Sequence, residues 1–536
     1  MAGALQWIQD GPDRADPRTP RMGWEGQTHL KIPPTQRRAV IAAALLALFL
    51  GAMDALVMSA AMPTIVSELG GLSLYSWVYS SYFLARAVSL PIFGKLADLF
   101  PNRNLFIAAI ALFTASSLAA GCVNRMVLLI AARVFQGVGA GGIFALVYVV
   151  LADVSPPEAR GRTLSLASSV WGIASVLGPS LGGFIVTYFS WRWIFFINLP
   201  LGLIAIGVIG FSLVELRSRR ENVSLDWAGV TTLTTAILAL LFALLLGGRG
   251  HAWLSGPILG LLFLSVASTS AFIVIEQRAR DPILSIAFFR RRGFSTGNAA
   301  VFLSSFAIFS MFAFAPLFIQ SVQGHTPMEV GLAMLALSLG WSLGSIALGQ
   351  FIDRVGRKAT ALAGAVVLLA GSAMTLTLGP ATGSVFLFGI FFSIGIGMGW
   401  VSLSTLMVVQ SCVAPQDLGV ATSSNQFART LGGAVGVGVG GSFFTPRLAR
   451  LTEMLQASGG DGQWPASLAE GGAGTIESLL QPEVQAAMPD ALRRLVQSAV
   501  QEGVADVFLA VTVAAGLCLL TCLLLPAEKP KPSARP

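Results

Sequence analysis

Fourteen apolar stretches fill most of this 536-residue chain, near 38–62, 74–96, 104–123, 125–151, 163–189, 191–214, 227–247, 254–275, 294–320, 328–352, 359–379, 383–412, 416–444 and 504–526. A helix needs about 20 apolar residues to cross the hydrocarbon core of a bilayer. Within that core every backbone N–H and C=O must be satisfied inside the segment, so such runs predict membrane-spanning helices. Charged residues are 11% of the chain, against about 25% in a soluble domain. That shortage of polar surface excludes a disordered chain and a soluble enzyme. The four cysteines, Cys122, Cys412, Cys518 and Cys522, lie in or beside apolar runs, and no zinc-ligand spacing is present. The three histidines fall outside the apolar cores. Residues 1–37 carry prolines and mixed charge without the apolar stretch of a signal peptide, and read as a polar tail. The expected fold class is all-α integral membrane.

The formal charge of +8 is explained by topology. Lys and Arg concentrate in cytoplasmic loops. With the N-terminus in the cytoplasm, 24 of the 34 basic residues fall on the cytoplasmic side and seven outside. The other three, Arg86, Arg133 and Arg429, sit within spans. Both termini are therefore expected in the cytoplasm of a multi-pass protein of the cell (inner or plasma) membrane, and nucleic acid is set aside as a partner. One connection is long. Residues 445–503 form an expected outer loop, flexible at first and then helical from Pro489, where Leu492, Leu495, Val496, Ala499 and Val500 share one face.

An internal repeat sharpens the fold. Gly94-Lys-Leu-Ala-Asp98 follows the second span and Gly349-Gln-Phe-Ile-Asp353 the tenth, 255 residues apart. Secondary transporters are often built from repeats. Two six-helix halves account for most of that offset, and two further helices, spans seven and eight, for the rest. Locally, the glycine would let two helix ends approach closely. The aspartate and following cations would latch neighbouring ends.

With these motifs the chain resembles the major facilitator superfamily, and within it the fourteen-helix drug:proton antiporters. The resemblance covers about 38–444 and the last span. Gly349 to Lys358 (GQFIDRVGRK) is similar to the family's cytoplasmic-loop motif, whereas Gly94 to Arg103 (GKLADLFPNR) departs from it at Pro101 and Asn102. Leu128 to Gly142 (LLIAARVFQGVGAGG) resembles the span-four motif around Arg133, and Gly172 to Gly183 (GIASVLGPSLGG) the span-five antiporter motif. Met53 to Pro63 (MDALVMSAAMP), Trp191 to Pro200 (WRWIFFINLP) and Ala315 to Gly324 (APLFIQSVQG) also resemble family segments. The resemblance implies a major facilitator fold of two six-helix bundles plus two extra central helices. It makes Gly94, Asp98, Arg103, Gly349, Asp353, Arg354, Gly356, Arg357 and Lys358 a cytoplasmic latch, and Gly172, Gly178, Pro179, Gly182 and Gly183 a hinge sealed against proton leak. The implied units are a tail over 1–37, bundles over 38–214 and 294–526, the two extra helices over 215–293, and a tail over 527–536.

Charges at bilayer depth cost about 3 kcal/mol or more each and usually have a partner or a task. Asp54 is the carboxylate set well inside a span, roughly 12 Å from its outer end at 1.5 Å per residue, and Arg133 lies at the same depth in span four. Arg86 lies roughly 18 Å deep in span two. Asp54 could pair with either arginine. A nearby arginine favours the carboxylate and burial favours the acid, so alternation between the two would carry a proton. Arg86 could instead offset Asp54 permanently or bind an anion. Arg429 is a second deep cation in span thirteen, read as a structural contact or a cavity residue. Trp171, Phe306 and Phe309 are candidate cavity-lining aromatics, since apolar pockets with few polar groups suit lipophilic cargo.

The expected activity is export of lipophilic or amphipathic compounds in exchange for protons by alternating access. The protein would act as a monomer in membrane lipid, with the proton as coupling ion and neither cofactor nor metal. A carrier of an amphipathic anion, lysolipid or metabolite using Arg86 and Arg133 is one alternative. A non-transporting receptor or scaffold is another. An intramembrane enzyme lacks converging His, Cys or paired carboxylates, and no G-x-x-x-x-G-K-[ST] loop is present to drive transport by ATP. An impermeant thiol reagent is expected to label a cysteine introduced in the 445–503 loop from outside the cell. Labelling from the cytoplasm alone would sink this topology.

Overall fold

The computed structural model describes residues 33–71, 74–155, 160–213, 226–247, 254–279, 284, 286–413, 418–457 and 490–526. Among them, fourteen helices of fifteen residues or more fall on the fourteen apolar runs: α1 (Pro34–Leu69), α2 (Tyr75–Leu99), α3 (Asn102–Cys122), α4 (Met126–Asp153), α5 (Arg160–Tyr188), α6 (Asn198–Ser212), α7 (Trp227–Leu246), α8 (Gly256–Arg278), α9 (Arg292–Leu317), α10 (Pro327–Val355), α11 (Arg357–Met374), α12 (Ser384–Ser411), α13 (Leu418–Ala457) and α14 (Asp490–Leu523). One-turn helices at Trp193–Phe196 and Ile286–Phe289 precede α6 and α9. Eleven segments are long and apolar enough to cross a membrane. The helices α2, α5 and α13 are long but interrupted by charged, polar or glycine residues, and fall outside that group.

Helix ends follow local chemistry. Pro34 opens α1, where its missing N–H would have no helical acceptor anyway. Gly70, at φ +71°, closes α1 by donating its N–H to the Val66 carbonyl. A capping box starts α10: the Thr326 hydroxyl accepts from the Glu329 N–H while the Glu329 carboxylate accepts from the Thr326 N–H. Gly356, at φ +90°, turns the chain from α10 into α11. Beyond Pro316, α9 widens into a π turn over Phe318–Val322, inside the APLFIQSVQG segment.

The helix neighbours repeat. In the first half α1 packs on α5 and α6, α2 on α4, and α3 on α4 and α6. In the second half α9 packs on α13 and α14, α10 on α12, and α11 on α12 and α14. Each pairing recurs eight helices later, as two structural repeats separated by two inserted helices require. The halves meet along two seams, α2 with α13 and α5 with α10. The inserted helices α7 and α8 pack on each other, and α7 lies against both α2 and α13. Trp77 and Phe242 meet there edge to face, with ring centres 5.2 Å apart.

The connection expected over 445–503 is helical at its start, where flexibility was expected, and 458–489 lie outside the described residues. The helix α13 continues to Ala457 and α14 begins at Asp490. These two helices are tied by Arg447, which donates to Asp506 at 2.9 Å and Glu502 at 3.3 Å. The face read from Pro489 onward is real, with Val496 and Val500 fully buried and Leu495 and Ala499 packed against the core. Residues 1–32 and 527–536 of the expected tails lie outside the described residues.

Between the halves, a hydrogen bond and backbone approaches are found at the end of the bundle where α1 finishes. The Tyr75 hydroxyl of α2 donates to the Ala313 carbonyl of α9. The glycines of α5 and α10 let two backbones touch there. A Cβ on Gly331 would lie 2.6 Å from the Pro179 carbonyl, and one on Gly183 would lie 2.8 Å from the Pro327 carbonyl. At the opposite end, a Cβ on Gly94 would meet nothing within 4 Å. In this conformation Gly94 faces open space, without the close helix approach expected of it in one state. A backbone carbonyl cannot retract as a flexible side chain can, so Gly331→Ala is expected to cost about 1–3 kcal/mol by overpacking. Unfolding of the purified protein in detergent would show this loss beside an unchanged Gly94→Ala.

Candidate functional site

Four helices contribute to one buried polar cluster. Asp54 of α1, Ser117 of α3, Gln136 of α4 and Asn198 of α6 have no measurable exposure, and Arg133 of α4 has 1%. Arg133 donates Nη1–H to Asp54 Oδ2 at 2.6 Å and to Gln136 Oε1 at 2.7 Å. Gln136 donates Nε2–H to Asp54 Oδ1 at 2.8 Å and to Ser117 Oγ at 2.7 Å. Asn198 Nδ2 reaches the same two oxygens at 3.3 Å. The Tyr82 ring of α2 lies under the Arg133 guanidinium at 4.0 Å, and its hydroxyl donates to the Gly51 carbonyl at 3.2 Å. The Asp54 carboxylate thus accepts from three side chains on two other helices, and one strong cation balances it.

Of the two pairings open from the sequence, the structure makes the one with Arg133. No ion pair joins Arg86 to Asp54, so the permanent offset of that acid by Arg86 is corrected. Arg86 points instead to Phe144, whose ring centre is 3.7 Å from the guanidinium carbon, and to Trp171 at 5.7 Å. Gln136 stands one helical turn after Arg133, and Asn198 sits inside WRWIFFINLP; both lay in motifs without being singled out. Ser117 carried no signal of its own. The same segment holds the end of α1: Trp191 donates Nε1–H to Glu68 at 2.6 Å, and Arg192 also binds the Glu68 carboxylate.

An aromatic cluster fills the middle of the molecule between the halves. Trp171 of α5 stacks on Trp341 of α10 with centres 6.0 Å apart. Phe309 of α9 meets Trp341 edge to face at 6.4 Å and Phe83 of α2 at 4.7 Å. Phe144 contacts Trp171 at 5.5 Å. Arg429 of α13 lies 6.0 Å from the Trp341 ring centre and donates to the Ser402 hydroxyl. Phe306, expected beside Phe309, is only half-buried and makes no ring contact among the described residues, its carbonyl lying against Gly436.

The span-five glycines face two helices. A Cβ on Gly178 would lie 2.9 Å from the Leu56 side chain, and one on Gly182 would lie 2.5 Å from the Val57 carbonyl, both on α1 just beyond Asp54. Gly183 faces α10. The surroundings of Gly172 and Gly349 and the side chains of Asp98, Asp353 and Arg354 are outside what the structure describes. Of the remaining latch residues, Arg103 is engaged. Arg357 donates to the Met407 carbonyl of α12 at 3.4 Å, and Lys358 to the Leu523 carbonyl of α14 at 2.9 Å. These cations close C-terminal helix turns within one half, where the helix dipole favours them.

Removing one partner of a buried ion pair strands the other, at a cost of about 3–5 kcal/mol. Arg133→Met is expected to lose that much, whereas Arg133→Met with Asp54→Leu recovers most of it. Equal losses in the single and double variants, read by unfolding in micelles, would remove this pair from the determinants of the fold.

Comparisons with known proteins give the family and the fold. The model of the Major Facilitator Superfamily matches residues 44–437. The chain is 32% identical over 467 residues to the multidrug transporter protein MdtP of Bacillus subtilis (strain 168), covering 85% of this chain and 86% of that one. It is 29% identical over 500 residues to multidrug resistance protein 3 of the same organism, covering 92% and 96%. Among solved structures, a bacterial homolog of the human lysosomal transporter Spinster, inward-facing and unoccupied, superposes with a TM-score of 0.60 at 15% identity, over 92% of this chain and 98% of that one. With its paired helix repeats and its buried intramembrane charges, this chain belongs to the Major Facilitator Superfamily of membrane transporters.

Proposed function

We propose that this protein is a fourteen-span exporter of lipophilic or amphipathic small molecules, exchanging them for protons by alternating access, of the drug:proton antiporter kind. It would act as a monomer among the lipids of the cell membrane, both termini in the cytoplasm, with bundles over 38–214 and 294–526 and the extra pair over 215–293. The names of the two Bacillus relatives support the cargo class. The observation that carries the coupling is the Asp54 carboxylate, fully buried and bonded to Arg133, Gln136 and Asn198.

A proton on Asp54 would cancel its charge and leave the Arg133 guanidinium without a counter-ion at bilayer depth, where it costs about 3 kcal/mol or more. The local arrangement of α1 and α4 would then no longer be the favoured one. Movement of α1 at Leu56 and Val57 would be passed to α5 through Gly178 and Gly182, and from α5 to α10 through Gly183 and Gly331. That path joins the proton site to a seam between the halves. Contacts at the outer end and open space around Gly94 correspond to an inward-facing member of the cycle. The latch residues would close the cytoplasmic end in the other state. No cofactor is required, and the proton is the coupling ion.

The test is proton flux in proteoliposomes under an imposed pH gradient, with cationic, neutral and anionic lipophiles added in turn and Asp54→Asn run beside the parent. Cargo-triggered proton movement is expected in the parent and absent in Asp54→Asn. Cargo movement without proton flux, unchanged by Asp54→Asn, would refute the coupling and leave Asp54–Arg133 as a fixed structural pair.

A further inference from the structure

Arg86, Arg133 and Arg429 are all buried, and among the described residues only one of them has a counter-ion. Arg133 is balanced by Asp54. Arg86 and Arg429, at 1% and 6% exposure, have no carboxylate partner among the described residues. Their contacts are with neutral groups: Phe144, Trp171 and Tyr82 for Arg86, and Ser402 and Trp341 for Arg429. They come from opposite halves and flank the stacked Trp171–Trp341 pair. Two like charges are therefore set around one aromatic pair. Like charges in a low-dielectric interior repel, so this arrangement is unfavourable as it stands.

The hydrogen-bond inventory points the same way. The Nε–H of Arg86, the Nε–H of Arg429 and the indole N–H of Trp171 are all buried donors without an acceptor. Buried donors are ordinarily satisfied, and a cluster of orphaned ones asks for an explanation. Arg133 also leaves its Nε–H unpartnered while bound to Asp54, so what sets Arg86 and Arg429 apart is the missing carboxylate. Two cations and an indole N–H around one aromatic pair would be satisfied by an acceptor-rich negative group such as a carboxylate, sulfonate or phosphate. Phe83, Phe144 and Phe309 beside the tryptophans supply an apolar wall for the rest of such a molecule.

We infer that the central cluster takes an amphipathic anion, its negative group held between Arg86 and Arg429 and its apolar body against the aromatic wall. This rests on the exporter reading for its identity as the cargo site. The same chemistry could come from a soluble aromatic acid or from a single-chain anionic lipid. The position of the site at the seam between α2 and α13 gives it a further property. One bound anion would bridge the two halves, so binding and the relative position of the halves would be coupled.

The test uses the full chain purified in an uncharged maltoside, with affinity measured by calorimetry. Its probes are naphthalene-2-sulfonate, 2-naphthyltrimethylammonium and oleoyl lysophosphatidate. Naphthalene-2-sulfonate is expected to bind at least about ten-fold more tightly than the ammonium analogue, as charge-assisted hydrogen bonds imply. Arg429→Gln and Arg86→Gln should each weaken it about ten-fold, and Arg429→Lys should retain most of the affinity. Arg494→Gln, which removes an exposed charge instead, should change nothing. Arginine-dependent binding of the lysophosphatidate alone would keep the anion site and assign it to lipid cargo. Equal or tighter binding of the ammonium probe by the parent, or no binding of either anion, would overturn the inference, and neither outcome depends on a variant folding. No gradient enters this measurement. Proton-coupled export of a cation without anion binding would therefore defeat this inference alone, and anion binding without coupled flux would defeat the exporter reading alone.

Discussion

The carboxylate of Asp54 is the constraint around which the first half is arranged. A buried anion must find its compensation from neighbouring elements, since the hydrocarbon outside offers none. Here the compensation comes from Arg133 and Gln136 on α4 and Asn198 on α6, with Ser117 of α3 completing the ring of hydrogen bonds. Four helices are thereby fixed in rotation and depth relative to one another, something apolar packing between interchangeable Leu and Ala side chains does poorly. The second half has no such cluster among the described residues. Its helices are joined mainly by backbone approach, as where Gly395 faces the Leu337 carbonyl and Gly432 faces the Phe302 carbonyl.

The two halves share an architecture and differ in chemistry. The position 255 residues beyond Arg86 is Trp341, so a cation in one repeat is answered by an aromatic ring in the other. Trp341 then stacks on Trp171 and lies near Arg429, placing both cations around one aromatic pair. The unbalanced charge is therefore built from both repeats, and neither half alone would hold it. The balanced charge, in contrast, belongs wholly to the first half.

Much of this was legible in the sequence, for a physical reason. Apolar runs long enough for a bilayer have few alternatives, so all fourteen helices fell where the runs lay. The partner of Asp54 was narrowed to two arginines by depth alone, but the choice between them depends on helix rotation, which spacing along the chain does not reveal. Gln136 and Asn198 were hidden because uncharged amides inside a span look like ordinary packing residues until their partners are known. Whether Gly94 has a close neighbour depends on how far apart the halves stand, which a glycine four residues before an aspartate does not reveal. The long helical extension of α13 was missed because its membrane-distal turns are polar and are held by Arg447 reaching α14, a contact between segments far apart in sequence.

The inserted pair has a consequence for how a greasy molecule could arrive. By lying across both α2 and α13, with Trp77 set against Phe242, α7 screens one of the two seams from the surrounding acyl chains. At the other seam, α5 and α10 pack directly on each other, with backbones touching at Gly183 and Gly331, and neither inserted helix is among their main neighbours. A twelve-helix arrangement without the insert would present two equivalent flanks to the bilayer. Here the inserted pair covers one flank and not the other, so the two seams meet the surrounding acyl chains differently and the flanks are not equivalent.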